Sequence, residues 1–122
     1  MAGNAGKLLL KPGMRVGFVN PPPGHRDLLG PLPEGAGVAD RGEVDLLLVF
    51  ARNRADVEAA VPELERVPAG KLLWIAYPKG GAKKGTDLNR DILWELVKPQ
   101  GLVGVTLVAL DDTWSAMRFK RA

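Results

Sequence analysis

The chain has 122 residues, a net charge of +3, 46% hydrophobic and 25% charged residues, the composition of one globular domain and not of a disordered one. It has no cysteine, one histidine (His25) and one serine (Ser115). That excludes disulfides, thiol chemistry and a Cys/His zinc site, and leaves Ser115 and His25 as the sole Ser–His pair.

No apolar run approaches the ~20 residues of a membrane span. The opening residues lack a signal-peptide layout. A cytoplasmic protein without membrane contact is expected. Few Asn and Gln beside ten prolines lean toward a heat-adapted source.

Residues 1–7 read as a loose terminus of small residues. Residues 8–10 read as a short apolar element ended by Lys11-Pro12-Gly13. Residues 14–20 are rich in β-formers and predict the first main strand. Residues 21–43 differ, with five prolines and five glycines. They leave room for one helical turn over 25–29 and a short strand over 36–39.

Residues 44–51 are nearly all apolar, as in a strand buried on both faces. Asn53 can cap the next helix, in which Val57, Ala60, Val61 and Leu64 fall at i, i+3, i+4 and i+7. Pro62 lies inside it and predicts a break near residue 61. Residues 71–78 are a second buried strand, and residues 79–85 are a Lys/Gly loop. Thr86 or Asp87 is expected to cap a helix whose buried stripe is Leu88, Ile92, Leu93, Leu96 and Val97. Residues 102–110 and 114–120 are strands joined by Asp111-Asp112-Thr113, which predicts an antiparallel hairpin.

This order predicts a three-layer α/β domain with a mostly parallel sheet and a C-terminal hairpin. Only two long helices are available for two sheet faces. One face is thinly covered unless residues 21–43 or a second copy pack on it, which motivates an expectation of self-association.

Two resemblances extend this reading. The strings Trp74-Ile75-Ala76-Tyr77-Pro78-Lys79, Thr86-Asp87-Leu88-Asn89-Arg90-Asp91 and Asp111-Asp112-Thr113-Trp114-Ser115-Ala116-Met117-Arg118-Phe119 resemble a bacterial family of small proteins of unknown function. The order strand, helix, Pro68-Ala69-Gly70-Lys71, strand, Lys/Gly loop, helix, Trp-containing hairpin resembles the C-terminal half of a Rossmann-like methyltransferase. That resemblance implies a glycine-rich cofactor turn after the first strand, but Asn20-Pro21-Pro22-Pro23-Gly24-His25 stands there. Asp40 is only roughly placed for the acid that would hold a ribose. The cofactor half is cut short.

Several constellations can carry chemistry, each beside a plainer alternative. Asn20-Pro21-Pro22 resembles the Asn-Pro-Pro-aromatic motif of amino-methylating enzymes, with Pro23 in the aromatic place. The alternative is a rigid turn. Lys79, Lys83, Lys84 and Thr86 lie in a loop suited to a small anionic ligand, or simply to solvent. Gly80 and Gly85 mimic a phosphate loop, but Thr86 replaces its essential lysine. Asp87 and Asp91 sit four apart on one helix face with Arg90 beside them, as metal ligands or acid–base partners, or simply as residues that cap the helix and pair with a nearby Arg or Lys. Asp111 and Asp112 fit an ordinary acidic turn. Trp94 falls off the apolar stripe and suits a groove, a subunit contact or the core. His25 is the first candidate for a general base, or a solvated loop residue.

The sequence therefore points to a non-catalytic, methyltransferase-like ligand-binding or interaction module that needs no cofactor. A minimal nucleotide- or S-adenosylmethionine-binding enzyme is the rival, with Asn20, His25, Tyr77, Lys79 and Asp87 converging at the strand ends. A nucleic-acid accessory protein using Lys83 and Lys84 is a third possibility. It is disfavoured because no nucleic-acid-binding motif is present.

Overall fold

The computed structural model describes residues 4, 6–39, 41–68, 70–79 and 87–121. Six strands form one sheet in the order β2-β1-β3-β4-β6-β5. β1 (Arg15–Val19), β2 (Gly37–Val38), β3 (Leu46–Phe50) and β4 (Leu72–Pro78) run parallel. β6 (Trp114–Arg121) joins β4 antiparallel, and β5 (Leu102–Ala109) joins β6 antiparallel at the edge. β3 is buried along its whole length, as a continuous apolar run in a central parallel strand demands. The predicted architecture is the observed one.

One face of the sheet carries the regular helices. The exception among the α-helices is α1 (His25–Leu29), a short one that packs Leu29 on the other face. α2 (Arg54–Ala60) begins at Asn53, whose side chain accepts the Asp56 N–H at 2.9 Å. It ends where Pro62 removes a donor, and a 3-10 segment, Val61–Arg66, continues it. α3 (Arg90–Val97) completes this layer, followed by a 3-10 turn, Lys98–Gln100. Val57, Leu64, Leu93 and Val97 pack here on Leu47, Ile75, Met117 and Phe119.

The cap of α3 differs from expectation. It is Asn89, whose side chain accepts the Ile92 N–H at 2.8 Å, and neither Thr86 nor Asp87. Thr86 lies outside the described residues, and Asp87 is used elsewhere. The reason is burial. Leu88 is fully buried, and as the residue before the cap it packs in the same core as Leu93 in the first turn. That is a hydrophobic staple, and it fixes where the helix starts. Asp87 and Asp91 therefore do not share a helix face.

The other face has no long helix. Its core of Leu48, Phe50, Trp74 and Ala116 is covered by Leu8 and Leu10, and by Leu29 of α1. Trp74 is wholly buried and donates its indole N–H to the Leu8 carbonyl at 3.0 Å. Asn4, within the stretch expected to be loose, is buried. Its side-chain amide donates to the carbonyls of Leu28 (2.8 Å) and Leu110 (2.9 Å). Residues near the N-terminus and the 21–43 segment thus supply the missing layer between them.

At the amino ends of the parallel strands, Asp45 accepts the Arg15 N–H at 2.9 Å and pairs with Lys71 at 3.2 Å. The backbone donor, then the Lys71 hydrogen bond, hold its carboxyl below the ordinary value of 3.8.

Two outcomes are expected. Asn4→Ala removes the donor to the buried Leu110 carbonyl and to the half-buried Leu28 carbonyl and should cost about 1–3 kcal/mol in urea unfolding. Asp45 contributes stability that is present above pH 3.8 and lost as pH falls through its lower folded value. Asp45→Asn should therefore flatten the acid limb of a stability–pH curve and leave the slope above pH 7 unchanged.

Candidate functional site

In an open parallel sheet the binding crevice lies at the carboxyl ends of the strands, where successive connections leave in opposite directions. Here β1 connects to β2 on one side, and the chain then returns to β3 on the other side of β1. The crevice is therefore at the ends of β1 and β3, beside Val19 and Phe50.

Asn20 stands at that point. Its φ of 55° is left-handed, a conformation Asn tolerates better than most side chains. Its side-chain amide donates to the Phe50 carbonyl at 3.2 Å and joins the two strand ends. The chain then runs through Pro21, Pro22 and Pro23 to Gly24, also left-handed, and into α1.

His25 is half-buried on the far face of the sheet. Its ring meets Phe18 edge-on with centroids 4.7 Å apart, and Nδ1 lies 3.2 Å from the Pro22 carbonyl. Tyr77 is on the opposite, helix-covered face and is buried. Burial pushes its hydroxyl pKa above the ordinary value of 10.0. The Arg90 charge opposes this and the Asp91 charge reinforces it.

Asp87 accepts the backbone N–H of Arg54 at 2.8 Å, at the start of α2. Lys79 donates its backbone N–H to the Thr113 carbonyl at 2.8 Å. With Pro78, Asp112 and Thr113 it lines a cleft of about 210 Å³ at the end of β4.

The five expected site residues lie along this end of the sheet, but none bonds to another. Asn20 is central, His25 and Tyr77 are on opposite faces, and Asp87 serves the backbone. Lys83, Lys84 and Thr86 lie outside the described residues, as does Asp40. Asp111 is a turn staple, its carboxylate accepting the N–H groups of Thr113 and Trp114 at 2.8 and 2.7 Å. Among the described residues no cluster of three His, Asp or Glu could hold a metal. Sequence reasoning did not find a second, larger cleft of about 390 Å³, lined by Arg54, Asp91, Ile92, Glu95 and Leu96 between α2 and α3. Its residues come from two helices with no shared motif.

Solved structures share this arrangement of the backbone, methyltransferases among them. This chain has a Rossmann-like methyltransferase fold.

A ribosomal protein methylase from Lactobacillus delbrueckii superposes with a TM-score of 0.61 at 8% identity, covering 97% of this chain and 74% of that one. An O-methyltransferase family 2 protein from Planctomyces limnophilus gives 0.59 at 12% identity, covering 100% and 54%. A NADB-Rossmann superfamily protein from Streptococcus agalactiae gives 0.58 at 9% identity, covering 100% and 69%. The chain thus spans about half to three quarters of these folds. No family model and no curated protein matches its sequence. In this methyltransferase-like frame the turn after β1 is the Asn20–Gly24 stretch, closed on Phe50 by the Asn20 amide.

Tyr77 is the only tyrosine, so its ultraviolet absorbance reads its titration directly. In the folded protein the phenolate should appear above pH 10.0, later than in the urea-unfolded chain. With the folded value raised, the Tyr77 contribution to stability is complete below pH 10.0 and declines as pH rises through that folded value. Coincident folded and unfolded titrations would contradict the burial described above.

Proposed function

We propose that this protein is a methyltransferase-like binding module that transfers no methyl group and holds a small anionic ligand at the carboxyl ends of its parallel strands. One observation carries the reading. In the turn after β1 the Asn20 side-chain amide donates to the Phe50 carbonyl at 3.2 Å and the His25 backbone N–H donates to the Pro22 carbonyl at 3.1 Å, so both donors are spent on the chain itself. A cofactor turn instead leaves backbone N–H groups open to its ligand.

Lys79 supports the anionic character of the ligand. It is half-buried at the cleft that ends β4, and Lys83 and Lys84 follow it in the chain. The motif strings support placing the chain in the bacterial family of unknown function noted above. No helix of the described residues is long and apolar enough to cross a membrane.

A second reading, an S-adenosylmethionine-binding enzyme, is favoured by the sheet order and by the likeness to methyltransferases. A thermal unfolding scan separates the two. A site filled at about 100 times its Kd adds ~2.7 kcal/mol, a rise of roughly 10 °C for a domain of this size. No rise is expected with S-adenosylmethionine or S-adenosylhomocysteine in large excess. A smaller rise is expected with inorganic pyrophosphate, and Lys79→Ala should abolish it. A rise with S-adenosylmethionine would establish the enzyme reading instead. No response to pyrophosphate would remove the anionic ligand.

A further inference from the structure

The two edges of the sheet are unequal. β2 closes one edge with two residues, too few to invite a further strand. β5 closes the other with eight residues, Leu102–Ala109, none of them charged and none proline. Of the four large apolar side chains exposed among the described residues, two, Val105 and Leu107, lie on β5, and one, Val38, lies on β2. The strip continues inward, because Gly104 lies over the half-buried Trp94 of α3. An added Cβ at Gly104 would stand 3.7 Å from that indole and would collide with Met117.

Exposed edges in natural proteins are usually blunted by charge, proline or a bulge. β5 has a bulge at Val105, between Gly104 and Thr106. Near its end Lys7 covers the Ala109 carbonyl at 3.0 Å. The bulge interrupts the ladder, so a partner on this flank is held by side chains and not by a continued sheet.

The two ends of β5 differ in charge. Before its first residue lies Lys98, paired with Glu95 at 2.9 Å and set 5.7 Å above the Trp94 ring. Lys120 and Arg121 lie beside the same end through their pairing with Val103 and Leu102. Beyond its last residue come Asp111 and Asp112, both exposed, with Lys79 sharing the cleft of Asp112.

We propose that two copies of this chain associate along the β5 flank about a twofold axis perpendicular to the strand. In that antiparallel arrangement Val105 and Leu107 of each copy are covered by the other. The Lys98 end of each then approaches the partner's Asp112. A parallel arrangement would set lysine end on lysine end, so the charges select the antiparallel one. The thinly covered sheet face gives no reason for a dimer, because residues of the chain itself cover it. The β5 flank gives one.

Sedimentation equilibrium of the full chain tests this. A concentration-dependent dimer is expected, with Leu107→Lys weakening association at least about tenfold while the circular dichroism stays that of the parent. Lys98→Asp and Asp112→Lys should each weaken the dimer, and the two together should restore it, since the charge pair is re-formed in reverse. A monomer at all concentrations would overturn the proposal. So would a dimer indifferent to Leu107→Lys, or a double variant no tighter than the single ones.

Discussion

Trp74 lies at the centre of the sheet, wholly buried, with one N–H donor that water cannot reach. A buried donor without an acceptor costs about 1–3 kcal/mol. The face it occupies has no long helix, so neither acceptor nor cover can come from the usual source. Both come from residues far away in the chain, the Leu8 carbonyl for the indole and the Leu8 and Leu10 side chains for the ring's surroundings. Asn4 then fastens that segment to the carbonyls of Leu28 and Leu110. The rest of the fold follows from this solution. With one face closed by a few loop residues, α2 and α3 are free to share the other, and a short chain can still enclose two cores.

The parts of this fold that were legible in the sequence are those decided locally. The strands announce themselves through unbroken apolar runs, and the break at Pro62 follows from its missing donor. Asn53 is a cap because nothing nearby competes for that role. The start of α3 is not decided locally, because three capping types, Thr86, Asp87 and Asn89, stand close together. The choice among them is made by burial of Leu88 and by the Arg54 amide that takes Asp87, both tertiary demands. The segment over Trp74 has no periodicity at all, and its role exists only once the sheet is assembled.

The candidate site shows the same division. That Asn20 ends a strand is plain from the residues around it. That its amide is spent on Phe50 is not, since the two meet only through the pairing of β1 with β3. His25 and Tyr77 both follow or end a strand, yet they lie on opposite faces of the sheet. Tyr77 is turned to the helix-covered face by its position along β4, whereas His25 belongs to α1, which packs beside Phe18 on the other face. A constellation drawn from sequence holds only when the face each residue takes is known.

The Asn4 bond to Leu110 spans 106 positions and the Trp74 bond to Leu8 spans 66. Contacts so distant in sequence carry a large loop-closure cost, and such contacts slow folding. The Asn4 bond to Leu110 can exist only where the hairpin that carries Leu110 is in place, so the cover of Trp74 is tied to both ends of the chain at once. A chain in which that segment is unseated presents Trp74 and its apolar neighbours to solvent, and exposed apolar surface of that kind is prone to aggregation.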